Sequence, residues 1–165
     1  MSHCVGGSPA ASSSAMSLDS IRFLSVLFVA LVNVPSGAHL LELFNKLRLT
    51  SIDYLVVQQI YRGWAWVGVI VLAALLSTLL LAIRVRTRPR AFLWALLAFF
   101  CLLGAQAIFW TVTFPVNQET SNWTVLSENW MSHRRRWEYS HALGAALHLV
   151  ALVSVLVAAL SKSHR

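Results

Sequence analysis

Residues 127–159 read SENWMSHRRRWEYSHALGAALHLVALVSVLVAA. The first half is polar and the second half is hydrocarbon, and the apolar spacing predicts one long helix with Ser127 as its cap. Trp130, Arg134, Trp137, His141, Gly144 and His148 follow one another by three or four residues, so they line one helical face. Glu138 and His141 are three apart and point to the same side. This helix carries a carboxylate, an imidazole and two tryptophans into the boundary between water and membrane, and the other long apolar segments read as walls around it.

The remaining sequence supports a membrane setting. Of the 165 residues, 58% are hydrophobic and 12% charged, with a mean hydropathy of +0.67. Soluble domains carry about 25% charged residues. The apolar runs are continuous rather than alternating, which argues against a transmembrane β-barrel. The expected fold is an all-α integral membrane bundle of four transmembrane helices at about 21–43, 60–83, 91–113 and 140–160, behind a disordered, Ser/Gly/Ala-rich tail at 1–20. A net charge of +7 would suggest nucleic acid in a soluble protein. Here the basic residues flank apolar runs, where topology and anionic lipid place them, so membrane lipids and not nucleic acid are the expected partners. Cys4 and Cys101 form no CxxC, which leaves dithiol chemistry and a zinc knuckle without support.

Pro35 should kink the first span. The second segment runs apolar from 52 to about 83, some 45 Å of helix. That exceeds a bilayer core of about 30 Å, so its first turns, with Tyr54, Gln58, Tyr61 and Arg62 on one side, should stand outside the hydrocarbon. The fourth helix should project in the same way. In the third span Gln106, Trp110 and Thr113 share a face, which Asn117 continues, and Pro115 should bend the helix.

Four spans put both termini on one side. That side holds Arg22, Arg84, Arg86, Arg88, Arg90, Lys162 and Arg165, and the dense RVRTRPR turn places it in the cytoplasm. Glu42, Asp53, Glu119, Glu128 and Glu138 all lie on the other side, against six bases (Lys46, Arg48, Arg62, Arg134, Arg135 and Arg136). That end reads as a paired polar network.

The strings GAHLLELFNKL, VQQIYRGWA, FPVNQETSNWT and ENW…RRRWEYSHA resemble a family of small four-helix membrane proteins of unknown function related to the fungal anthrone oxygenases. The resemblance covers most of residues 21–159. It implies an uncharacterised membrane protein, with oxygenase activity belonging to the distant fungal branch.

Two chemistries compete at the polar end. HLLE (His39, Glu42) and EYSH (Glu138, His141) each place a Glu and a His three apart, the spacing helix-bundle metal sites use. The second and third spans offer no further Glu, so a mononuclear copper or iron site on His39, Glu42, Glu138 and His141 fits better than a di-iron one. Haem between His148 and His39 or His141 is a weaker alternative. Against a metal stands simple pairing: Glu138 with Arg134, and Glu42 with Arg62 or Arg136. The tryptophans form an interfacial belt or, alternatively, a pocket for a flat lipophilic molecule.

The leading expectation is a membrane oxidoreductase of oxygenase-like type acting on a lipophilic aromatic or quinone-like molecule. Glu138 and His141 would do acid–base or metal chemistry, and Arg62 and Asn117 would orient the substrate. Tyr61, Trp123, Trp130, Arg136 and Trp137 would contact it. The alternative is a non-enzymatic membrane subunit with a structural polar cluster, as a homo-oligomer or with a partner.

Overall fold

The computed structural model describes residues 16–161. The expectations for residues 1–15, Cys4 included, and for the last four residues lie outside it. Among the described residues there is no strand, and four helices are long and apolar enough to cross a membrane. The chain is an all-α bundle.

Helix α1 spans Leu18–Lys46, beginning three residues inside the expected tail because the Ser17 hydroxyl caps it by accepting from the Ser20 amide. It runs on through Pro35. On either side of that proline, Asn33 and Ser36 send side-chain donors to the Val29 and Val32 carbonyls at 2.8 and 2.9 Å.

The expected unbroken helix from 52 to 83 is corrected: it is two helices and a joint. Helix α2 spans Ser51–Gln58, capped by Thr50 as Asp53 donates its amide. Two 3-10 turns follow, Gln59–Tyr61 and Trp64–Trp66, separated by Gly63 at φ 86°. Glycine takes that left-handed conformation without the Cβ clash other residues suffer. Helix α3, Val67–Arg84, then crosses the bundle. An apolar pattern alone does not record this break, because Tyr61, Trp64 and Trp66 continue the hydrophobic run through it.

Helix α4 spans Pro89–Ile108, with proline in its first turn. A π-turn, Phe109–Thr113, joins it to α5, Phe114–Glu119. The distortion occupies the turn before Pro115, where the proline ring crowds the preceding turn and supplies no N–H to it. The extra residue rotates the helix face, so the expected stripe divides. Trp110 is exposed, Thr113 is buried against Ser140 at 2.8 Å, and Asn117 reaches Trp137.

Helix α6, Trp130–Leu160, starts three residues later than expected. Ser127 does not cap it, because its hydroxyl meets the His133 ring at 2.9 Å instead. At 31 residues α6 is about 46 Å long. It packs on α1 and α4, and α3 packs on the same two helices.

The core near the termini is built from small residues: Ala74, Ala82, Ala91, Ala95, Ala98, Ala151 and Ala158, with Val and Leu between. Lipid tails are as apolar as leucine, so close backbone approach at small residues, not water exclusion, holds such helices together.

Candidate functional site

The opposite end of the bundle is built around Lys46. On α1, His39, Glu42 and Lys46 follow one another by three and four residues and share a face. On α6, Trp137 and Glu138 stand three and four residues after Arg134 and four and three before His141, so all four lie on one side. Helix α2 contributes Tyr54 and Gln58, and the joint after it contributes Tyr61 and Trp64.

Lys46 is 3% exposed and Glu138 is fully buried. Burying an ammonium is costly unless it is paired and hydrogen-bonded. Its Nζ lies 3.2 Å from Glu138 Oε1 and 3.3 Å from Glu42 Oε2, and donates to the Tyr61 hydroxyl at 2.9 Å. It also sits 4.7 Å from the Tyr61 ring centre and 4.8 Å from that of Trp137, a cation–π cradle. Tyr61 directs its own proton to Glu42 in a short hydrogen bond.

Glu138 is used on one side only. Its Oε1 receives the Tyr54 hydroxyl at 2.8 Å, Lys46, and Gln58 Nε2 at 3.5 Å, while Oε2 is buried with no partner. Burial, and then the charge of Glu138, push the Tyr54 phenol far above its usual range. Burial, and then the hydrogen bond to Glu42, do the same to Tyr61. Both phenols are therefore fixed as proton donors.

Beside this network the His39 ring stacks on His141 with centres 4.2 Å apart, and it is enclosed by Tyr61 at 4.5 Å, Trp137 at 5.1 Å and Trp64 at 6.0 Å. His141 also lies 4.1 Å from Trp137. His39 Nδ1 is a second buried atom without a partner. Trp137 is held in place by donating its indole N–H to Asn117 Oδ1 at 2.8 Å.

A loop closes the top. Ser121, Asn122 and Trp123 all take positive φ, 46°, 55° and 61°. Each left-handed residue without glycine costs about 1–2 kcal/mol. Packing of Trp123 on Tyr54, 4.8 Å between ring centres, and the bond from Gln59 Nε2 to its carbonyl at 2.9 Å offset that cost.

Of the residues expected at the site, His39, Glu42, Glu138, His141, Tyr61, Trp123 and Trp137 come together, with Asn117 behind Trp137. Arg62 is exposed and bonds Gln59. Arg136 is exposed. Trp130 lies outside the cluster under the Arg134 guanidinium, at 4.6 Å. Arg134 does not pair with Glu138. It donates to the carbonyls of Leu49 at 2.8 Å and Lys46 at 3.4 Å, satisfying the end of α1. Glu42 pairs with Lys46 rather than with Arg62 or Arg136.

Among the described residues no three His, Cys, Asp or Glu side chains gather as a metal site would need. The acids turn toward Lys46 and the tyrosines while the histidines stack on each other. The partners of Glu138, Lys46 with Tyr54 and Gln58, were not among the residues expected at the site, and Lys46 is the one at its centre. Its signal was present in ELFNK, where it stands four after Glu42 and seven after His39, but a lysine at a helix end reads as topology.

Fold and site together define an all-α protein with four helices fit to cross a membrane and a buried, charge-paired cluster at the end away from its termini. No protein-family model matches the chain, and neither a curated protein nor a solved structure does.

Proposed function

We propose that this chain is an integral membrane enzyme that performs acid–base chemistry on a lipophilic substrate at the polar end of its bundle. One observation carries the reading. Glu138 Oε2 and His39 Nδ1 are buried and without partners beside the Lys46 pair, and Trp123 Nε1 and Arg134 Nε are buried without partners around them. Such atoms each cost on the order of 1–3 kcal/mol, and of these four only Glu138 Oε2 and His39 Nδ1 can take up a proton, the other two being donors only. A substrate hydroxyl or acidic C–H placed against Glu138 Oε2 gives up its proton there. Lys46 stabilises the resulting anion, and Tyr54 and Tyr61 hold the carboxylates in position. Trp64, Trp137 and the stacked histidines supply flat surfaces for an aromatic or quinone-like body. The oxidoreductase, oxygenase-like form of this reading rests on the sequence resemblance alone, and it adds dioxygen as oxidant after proton abstraction.

The test is saturable quenching of tryptophan emission by 1,4-naphthoquinone in detergent-purified protein. Glu138→Gln and His39→Ala variants that remain folded should lose it. Quenching that is linear, or unchanged in both variants, overturns the proposal.

A second reading, a non-enzymatic membrane subunit, draws on Ile52, Val56 and Ile60. These form an exposed apolar stripe on α2 and the turn after it. Stoichiometric co-purification of a partner that α2 variants release would favour it.

A further inference from the structure

A second polar cluster lies deeper in the bundle, between α1 and α6, and the acid–base network does not use it. His148 is seven residues beyond His141 on the same face of α6, about 10 Å further along the axis. The residue is 8% exposed. Its Nδ1 meets the Ser36 hydroxyl at 2.6 Å, and its carbonyl accepts from Asn33 Nδ2 at 3.1 Å.

Ser36 has one hydroxyl hydrogen, and giving it to the Val32 carbonyl at 2.9 Å is the one assignment that makes hydrogen bonds of both Ser36 contacts. The serine oxygen is then the acceptor toward His148, which assigns the imidazole proton to Nδ1. That leaves Nε2 as a bare lone pair, and it is buried without a partner. A lone pair in this position calls for an O–H or N–H donor. A carbonyl, ether or ester oxygen offers nothing to it.

There is also room. Gly144 lies between His141 and His148 on the same face and is buried, yet a Cβ added there meets no atom within 4 Å. The same holds for Gly37, one residue after Ser36 on α1. Open space at the buried Gly144, one turn before an imidazole lacking a donor and on the same face of α6, makes a position that a ligand can occupy.

We propose that His148 forms a donor-selective subsite, which takes the hydroxyl of a lipophilic ligand entering between α1 and α6 along Gly37 and Gly144. It deepens the enzyme reading by naming the ligand's inner end, a hydrogen-bond donor, and rests on that reading only for the claim that the ligand is also a substrate.

The experiment is ¹⁵N NMR of histidine-labelled protein in detergent, with His148 assigned by loss of its signals in His148→Gln. The probes are 4-nonylphenol and its methyl ether. The resting protein should show His148 protonated at Nδ1 and unprotonated at Nε2. The phenol should shift Nε2 toward the hydrogen-bonded range, and the ether should not. Gly144→Leu, which fills the space while leaving the histidine, should abolish the shift. Ser36→Ala should redistribute the tautomers without blocking entry. An Nε2–H tautomer at rest, equal shifts from both probes, no shift from the phenol, or a resting Nε2 already hydrogen-bonded to water each overturns the proposal. Naphthoquinone quenching at the polar end is read separately. Quenching with a silent His148 sinks this subsite alone, whereas a shifted His148 without quenching sinks the enzyme reading alone.

Discussion

The two ends of the bundle handle polar groups in opposite ways. Toward the termini, buried polar side chains bond mainly within their own helix: Ser25 to the Ile21 carbonyl, Thr78 to Ala74 and Ser154 to Val150, all at 2.7–2.8 Å. Ser25 adds one bond across, to Ser77. At the other end the bonds cross between elements, as Tyr54 to Glu138, Lys46 to Tyr61 and Trp137 to Asn117 do, and several atoms remain unpartnered. Local satisfaction lets alanine and valine do the packing, and any neighbour of the right size will serve. Satisfaction across elements ties each group to one position in three dimensions. The first end is a clamp, and the second holds each of its polar groups in one fixed position.

The harshest way to break this comparison is to remove the cation. Lys46→Met leaves Glu138 buried without its charge partner and should cost about 3–5 kcal/mol, read as loss of thermal stability in detergent. Lys46→Met/Glu138→Leu should recover most of that loss. A double variant as unstable as the single would mean that the pair is not the organising contact.

Overpacking the clamp comes next. Ala98→Leu, at a fully buried position, should destabilise by about 1–3 kcal/mol while leaving naphthoquinone quenching of the folded fraction intact. Altered ligand affinity would show that the two ends are coupled.

Asn117→Ala frees the Trp137 indole N–H and should cost about 1–3 kcal/mol by leaving a buried donor unsatisfied. Quenching should also weaken as Trp137 loses its fixed orientation.

The tyrosines give a pH test. Their folded-state pKa values are raised, so the stability contributed by protonated Tyr54 and Tyr61 is fully present below the ordinary phenol range near 10 and is lost as pH climbs beyond it. Absorbance at alkaline pH should therefore show two of the three tyrosines resisting ionisation until the protein unfolds.

The smallest effect is expected at Arg62→Ala and Arg136→Ala. Both arginines are exposed and outside the cluster, so each change should stay within about 0.5 kcal/mol and leave quenching unaltered.

Much of the architecture was legible in the sequence because a continuous hydrophobic run of about 20 residues suits a bilayer far better than a water-facing helix. The gathering of acids at one end was legible too, as were His39, Glu42, Glu138 and His141 as neighbours, since a three-residue spacing fixes a shared face. Pairing was not legible. Which base meets Glu138 depends on how α1 and α6 are rotated about their axes, and Lys46, Arg134 and Arg62 are equivalent until that rotation is known. The break at Gly63 was hidden because its flanking aromatics kept the hydropathy high, while the distortion before Pro115 was legible from the proline and only its π form was not.

That joint has a consequence for the lipid surroundings. Trp64–Arg84 is 21 residues, about 31 Å of helix, which matches a hydrocarbon core of about 30 Å. A change of bilayer thickness taken up at this joint would move Tyr61 and Trp64, whose ring centres lie 4.5 and 6.0 Å from that of His39. Acyl-chain length would then be a means of tuning the site's geometry without changing a residue.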